Sequence, residues 1–310
     1  MTAVTTQMVK ELREKTGAGM MDCKTALTEN NADMETAIDW LRKKGLSKAA
    51  KKSGRIAADG LVGVVADGKS GAIVEVNSET DFVARNDKFQ DLVKAITGVA
   101  QSVAGNFEKL RDAKFPGKSI SVADHVKEMI ATIGENLSLR RSGGLKVSEG
   151  LVTSYVHNAV APGLGKIGVL IALQSKAAPE KLATIGRQLC MHIAAASPIA
   201  VSAEDLDPKV IERERAVYLE QAKLTGKPAD VIEKMVEGRL RKEFMQQVVL
   251  MQQVFVVDGK ETVQAILKGV EKDVGSAVKI AGFLRFALGE GIEKKEEDFA
   301  AEVAALTGQK

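Results

Sequence analysis

One pattern in this chain recurs, and it limits the folds open to it. Gly60-Leu61-Val62 begins a short apolar run, Asp67-Gly68 follows as a hairpin turn signal, and residues 72–76 return as a second run. Ile73, Val74 and Val76 make that second run β-branched, as a strand requires. From Phe89 the period lengthens. Leu92, Val93, Ile96, Val99, Ala100 and Val103 fall three and four apart, which puts one apolar stripe on a helix starting near Asp87. The same order returns 90 residues after Gly60, at Gly150-Leu151-Val152. Tyr155 continues this strand, residues 166–172 supply the returning one, and Leu182, Ile185, Leu189 and Ile193 mark the helix. Two hairpin-plus-helix units with short turns predict an α+β fold with antiparallel sheets, built as a duplicated sheet-plus-helix core.

The remaining segments attach to that core. Residues 1–55 read as a helical unit and linker. Val9 and Leu12 share one helical face, residues 16–19 break the helix at Gly17 and Gly19, and Cys23, Ala26 and Leu27 face inward on a second helix. Met34, Ala37, Ile38 and Leu41, with Trp40 alongside, give a third. Three short helices with a Gly-containing first loop resemble a ubiquitin-associated-type module. Such modules bind partners through that loop, where Met20 and Met21 stand; the two side chains either present this surface or fill the module's own core. Lys48, Lys51, Lys52 and Arg55 make the exit basic, as a solvated helix end or a linker. The core's first half is expected over 56–145. It includes an unpatterned stretch at 105–121, a helix with Val126, Met129, Ile130 and Ile133, a turn at Gly134, and a short strand with Leu137 and Leu139. The second half is expected over 146–204 and 255–290. The intervening 205–254 reads as an antiparallel helical hairpin, a small coiled coil. Its helices, 208–224 and 228–251, carry narrow seams of Val210, Val217, Tyr218 and Leu224, and of Ile232, Met235, Val236 and Leu240. Residues 291–310 close the chain with a helix in which Phe299, Val303 and Leu306 face inward.

Composition argues against several kinds of chemistry. Aromatic residues are 4% of the chain, too few for a protein that stacks RNA bases. The net charge of +3 demands no nucleic acid. Cys23 and Cys190 show neither disulfide nor zinc spacing. The first residues lack a basic region followed by an apolar one, so no signal peptide is expected, and no apolar run reaches the roughly 20 residues of a membrane helix. A cytoplasmic location without membrane contact is expected. Of the three histidines, His125 belongs to a helix, His192 with Cys190 lies on an apolar helix face, and His157 follows a strand beside Tyr155. None has a nucleophile or carboxylate at motif spacing. Residues 161–167 lack the first Gly and the closing Ser or Thr of a phosphate loop, and read as a turn between strands. No enzyme activity, metal or cofactor is expected, and turns become the candidate contact sites.

The sharpest of these turns joins the strand at 72–76 to the helix at Asp87. Ser78, Thr80 and Asp81 are helix-capping types, and Phe82 and Val83 follow at once. The turn sets an aromatic ring beside a carboxylate. Asp81 as a helix cap and Phe82 as its hydrophobic staple is the competing reading.

The stretch Thr80-Asp81-Phe82-Val83-Ala84-Arg85-Asn86 is similar to the signature of bacterial elongation factor Ts. Residues 9–24, Ile133-Gly134-Glu135-Asn136 with Arg140-Arg141, and Gly289-Glu290-Gly291-Ile292-Glu293 resemble the same family, in order along nearly the whole chain. The resemblance implies a guanine-nucleotide exchange factor that binds elongation factor Tu, GDP-bound and nucleotide-free, during translation. It implies that Thr80, Asp81, Phe82 and Val83 intrude at the magnesium and phosphate end of the GTPase site, with Ile133, Gly134, Glu135 and Asn136 on the same surface. Leu12, Arg13, Met20 and Met21 would meet the partner's nucleotide domain, and His157 a second domain. The resemblance allows a two-plus-two assembly. The alternative is a ribosome- or RNA-associated protein using the basic stretch near Lys51 and Arg55.

Overall fold

The structure, a computed structural model, describes residues 3–293. The helix expected over 296–306 lies outside the described residues.

Two three-stranded units give the core its form. The first hairpin pairs β1 (Asp59–Asp67) with β2 (Ser70–Ser78), and β3 (Leu137–Lys146) lies on the other side of β2, all antiparallel. The second pairs β4 (Gly150–His157) with β6 (Ile167–Ser175), and β7 (Val278–Ala287) with β6. The turn between β4 and β6 holds β5 (Leu164–Gly165), which crosses to pair with β1 of the first sheet. The two sheets face each other through Val62, Val64 and Ile73 from one and Val152, Leu170 and Ala172 from the other. Helices cover the outer faces. On the first lie α4 (Asp87–Ser102), α5 (Phe107–Asp112) and α6 (Val122–Ile133). On the second lie α7 (Pro179–Ala196) and α11 (Val263–Val274). The core is therefore helix, sheet, sheet, helix, with the fully buried Phe89, Ile96, Leu173 and Leu189 between layers.

The duplication runs further than the hairpin and helix seen in the sequence. Gly60 and Gly150 take nearly the same positive φ, 119° and 117°. Each opens its strand against the partner strand's backbone. A Cβ at Gly60 would lie 2.3 Å from the Val76 oxygen, and one at Gly150 2.0 Å from that of Leu173. In both halves a helix ends on a left-handed glycine, Gly134 or Gly275, and leads into the third strand. In both, the register of that strand slips by one, at Arg140 and at Ala281. The stretch at 105–121 is not patternless, since it forms α5 and a bridge between Lys114 and Ser121. The second half has an equivalent bridge, Val254 with Thr262, and inserts the helical hairpin before it.

The slip at Arg140 has a direct consequence. Successive residues of a regular strand point to opposite faces, but a bulge brings two neighbours to one side. Arg140 and Arg141 thus both reach the fully buried Glu75, at 2.9 and 2.5 Å. The Gly289 N–H donates to the same carboxylate at 2.8 Å, and Arg141 donates to the Ala287 carbonyl at 2.9 Å. This network ties the end of β7 to the first sheet. Burial pushes the Glu75 carboxyl up, but the Gly289 N–H, Arg140, Asn77 and Arg141 outweigh it and hold it below its ordinary value. A depressed carboxyl contributes stability above its unfolded pKa and loses it as pH falls through the folded one. Denaturant midpoints are expected to fall on acidification below about pH 4.3, the reference for an unfolded Glu. In Glu75→Gln, less stable throughout, that part of the slope should be missing.

The N-terminal unit is three helices, α1 (Thr6–Thr16), α2 (Met20–Glu29) and α3 (Met34–Lys52), around Val9, Leu12, Cys23, Ala26, Leu27 and Ala37. The basic exit is the end of α3, which packs on α6 where Gly45 meets Ala131. The hairpin comprises α8 (Pro208–Lys223) and α9 (Ala229–Arg239), extended by a π-helical turn at Leu240–Phe244 and by α10 (Met245–Val248). Its seam corrects the expectation. Tyr218 and Ala222 are buried against Val236, Leu240 and Phe244, whereas Val217 and Leu224 are exposed. Val217 and Leu224 cannot share the buried stripe with Tyr218 and Ala222, which are four apart and stack on one face. Among the described residues no helix is long and apolar enough to cross a membrane.

Candidate functional site

The turn after β2 is built from inside out. Val83 and Ala84 are buried in the first-half core, and a 3₁₀ turn at Val83–Arg85 holds them there. That turn closes on Asp81 and Phe82: Ala84 N–H donates to the Asp81 carbonyl and Arg85 N–H to that of Phe82, both at 3.2 Å. With the next two residues inserted in the core, Asp81 and Phe82 are left outside. Phe82 is 77% exposed, and Asp81 is exposed beside it. Neither caps α4. Asn86 does, accepting from the Lys88 and Phe89 N–H groups at 3.0 and 3.3 Å. The competing reading of Asp81 as the cap fails because the 3₁₀ turn intervenes.

A second turn holds the first. α6 ends on Gly134, whose φ of 93° suits a residue without Cβ. The next residue, Glu135, grips Thr80 twice: Thr80 N–H donates to Oε2 at 2.9 Å and Thr80 Oγ1 to Oε1 at 2.6 Å. Glu79 returns the contact, accepting from the Asn136 N–H at 2.5 Å. Asn136, buried, donates through Nδ2 to the Arg55 carbonyl at 2.8 Å, and Arg55 pairs with Glu79 at 3.4 Å. Lys52 donates to the Gly134 carbonyl. The structure therefore brings Thr80, Glu135 and Asn136 together, with Ile133 half-buried at the end of α6. Glu79, Lys52 and Arg55 complete the cluster. Sequence reasoning passed over Glu79 despite its place beside Thr80, and read Lys52 and Arg55 only as a basic stretch.

The module's first loop stands nearby. Gly17 ends α1, and a Cβ there would lie 3.4 Å from Thr132, two residues before Gly134. Met20 and Met21 follow, 50% and 71% exposed, so they do not fill the module's core. Arg13 is exposed as well, but Leu12 is fully buried among α1–α3 and offers no surface of its own. Val83 likewise acts from inside. His157 ends β4, exposed, with the Tyr155 hydroxyl 3.1 Å from Nδ1. Among the described residues no recorded bond joins it to the turn.

The rest of the molecule offers little chemistry. A cavity of about 620 Å³ lies between the module and α4 and α6, lined by Leu41, Leu92, Phe115 and Met129. His125 borders it, its ring tilted against that of Phe115 with centroids 4.0 Å apart, and burial pushes its pKa down. Burial also lifts the Cys190 thiol to about 12, so it stays protonated near neutral pH. His192 is buried against Gln253 at 2.8 Å. No group of His, Cys, Asp and Glu among the described residues is placed to hold a metal. The tip sets an aromatic ring and a carboxylate side by side on the 3₁₀ turn, offered to a partner able to bury one and meet the other.

Comparison with known proteins bears on which partner. The family described as "Elongation factor TS" matches residues 79–290, from Glu79 of the clamp through the whole second half. The chain is 60% identical over 305 residues to "Elongation factor Ts" of Parvibaculum lavamentivorans, covering 98% of this chain and 99% of that one. It is 58% identical over 306 residues to the protein of that name in Allorhizobium ampelinum, covering 99% of each. With that of Rhodospirillum centenum it shares 54% over 308 residues, 99% of this chain and all of the relative.

Proposed function

The chain belongs to the elongation factor Ts family, and from that membership we propose that it binds elongation factor Tu and promotes GDP release during translation elongation. The observation that carries the reading is the exposed Asp81-Phe82 tip on a clamped turn, next to a loop that exposes Met20 and Met21. The N-terminal helices, as a ubiquitin-associated-type module, supply the second contact, and His157 a third on another domain of the partner. The role belongs in the cytoplasm.

Nothing covalent is asked of such a factor. GDP is held in a GTPase by backbone N–H groups of a phosphate loop and by Mg²⁺. A protein that binds the nucleotide-free form more tightly than the GDP form must, by reciprocity, weaken GDP. The Asp81 carboxylate is a like charge toward the phosphates and a competitor for their Mg²⁺. Phe82 is a wedge whose burial requires the site to open. A 10⁴-fold faster release needs roughly 5.5 kcal/mol of differential binding. A buried Phe supplies roughly 1.5–3 kcal/mol, so the tip shares the work with the Met20 loop and the Gly134 turn.

The test is release of fluorescent GDP from elongation factor Tu. Addition of the protein is expected to accelerate release by orders of magnitude and to keep doing so at moderate salt. No acceleration, together with RNA affinity that collapses with added salt, is the result expected of an RNA-associated protein instead. Arg55 and Lys52 are already engaged by Glu79 and the Gly134 carbonyl, which leaves that alternative a thin basic surface.

A further inference from the structure

Two loops far apart in sequence trade carboxylates beneath the tip. Glu135 holds both the N–H and the hydroxyl of Thr80, and Glu79 holds the N–H of Asn136. Thr80 is the residue before Asp81, and its own carbonyl accepts from Ser78 Oγ at 2.9 Å. Every polar group of Thr80 is thereby used inside the protein. Its place in the motif is not explained by a surface it could offer to a partner.

We propose that Glu135 is a positioning residue for nucleotide exchange: it fixes Thr80, and through Thr80 the direction in which Asp81 and Phe82 leave the fold. This rests on the exchange reading above. Three features support the assignment. First, Val83 and Ala84 anchor only the far side of the tip, so without Glu135 Thr80 itself keeps only the Ser78 contact, and the remaining ties of the near side, to Asn136 and Arg55, lie one residue further back at Glu79. Second, both Glu135 bonds are charge-assisted and share one carboxylate, which fixes orientation as well as distance. Third, the same cluster reaches the end of α3 through Lys52 and Arg55, so the module that carries Met20 and Met21 is fixed to the same frame. A wedge that must enter a closed site works only if it is already pointed, since ordering it on contact would consume binding free energy.

The second half of the core offers a built-in contrast. There the residue after Gly275 is Ser276, and the strand that follows has its Val278 N–H bonded to Glu271 from within the same helix, at 2.9 Å. That turn serves its own helix, and among the described residues no side chain of it bonds to the loop after β6. The cross-loop clamp belongs to the half that carries the tip.

The experiment is a double-mutant cycle on stimulated GDP release from elongation factor Tu, using the full chain at saturating and subsaturating concentrations. Glu135→Ala and Thr80→Val are each expected to lower the maximal release rate by about tenfold, the effect of losing one or two charge-assisted bonds. Thr80→Ser keeps the hydroxyl and should recover most of what Thr80→Val loses. Glu135→Gln still spans the two groups and should recover most of what Glu135→Ala loses. In an Asp81→Ala/Phe82→Ala background, Glu135→Ala should cost less than about twofold, because the groups it aims are gone. Additive losses, or a Glu135→Ala protein with the wild-type maximal rate, overturn the proposal while leaving the exchange reading intact. Absence of stimulation by the wild-type chain overturns both. Thermal midpoints of all variants are measured in parallel, and Thr80→Val covers the case in which Glu135→Ala fails to fold.

Discussion

Phe82→Ala is expected to slow the stimulated release of GDP from elongation factor Tu by about tenfold to a hundredfold. The figure follows from burial. The ring is 77% exposed in the free protein, so nearly all of its apolar area is available to be covered by a partner. Full burial of a Phe contributes roughly 1.5–3 kcal/mol, a factor of about ten to somewhat over a hundred. The fold should not notice the change, because the ring lies in no core cluster and the turn is anchored by Val83 and Ala84. Thermal unfolding at the wild-type midpoint, alongside slowed release, separates a lost contact from a lost fold. Asp81→Asn keeps the size of the side chain and removes its charge, so it reports the electrostatic share alone. Stimulation indifferent to both changes would move the origin of exchange to the Met20 loop and the Gly134 turn.

Gly60→Ala and Gly150→Ala are each expected to destabilise the protein by about 3 kcal/mol or more, among the largest single-residue effects in this chain. Two costs coincide. The φ values of 119° and 117° lie where a Cβ is strongly disfavoured. The added Cβ would also fall 2.3 Å from the Val76 oxygen in one case and 2.0 Å from the Leu173 oxygen in the other. Those atoms belong to the paired strand's backbone and cannot turn aside as a side chain would. The expected sign is a clear fall in denaturant midpoint for each, measured by circular dichroism. Because the two sites are equivalent places in a duplicated unit, their losses should be of similar size. A near-neutral substitution at one of them would show that its hairpin can open to admit a methyl group, and that the two halves are held differently.

The local plan lies in the spacing of neighbouring residues. A period of two that changes to three and four is a property of neighbouring residues, so the hairpins, α4, α7 and the helical insertion were legible. The repeat was legible from Gly60 and Gly150 because only glycine fits the backbone there. The tip, too, could be read, since an aromatic beside a carboxylate at a strand end is visible without a fold.

The rest depends on partners distant in the chain. Asp81 looks like a cap until the 3₁₀ turn shows that Asn86 holds the helix. Arg140 and Arg141 would point apart in a regular strand; the bulge turns both toward Glu75, which also accepts from Gly289, 214 residues away. Leu12 cannot be told from a contact residue until the module closes over it, nor Val217 from a seam residue until α8 meets α9. Glu135 grips Thr80 across 55 residues, and Glu79 reaches Asn136 across 57. Local propensity is set within one turn of chain. The direction in which a side chain finally points is set by the backbone groups that must be satisfied when distant segments meet.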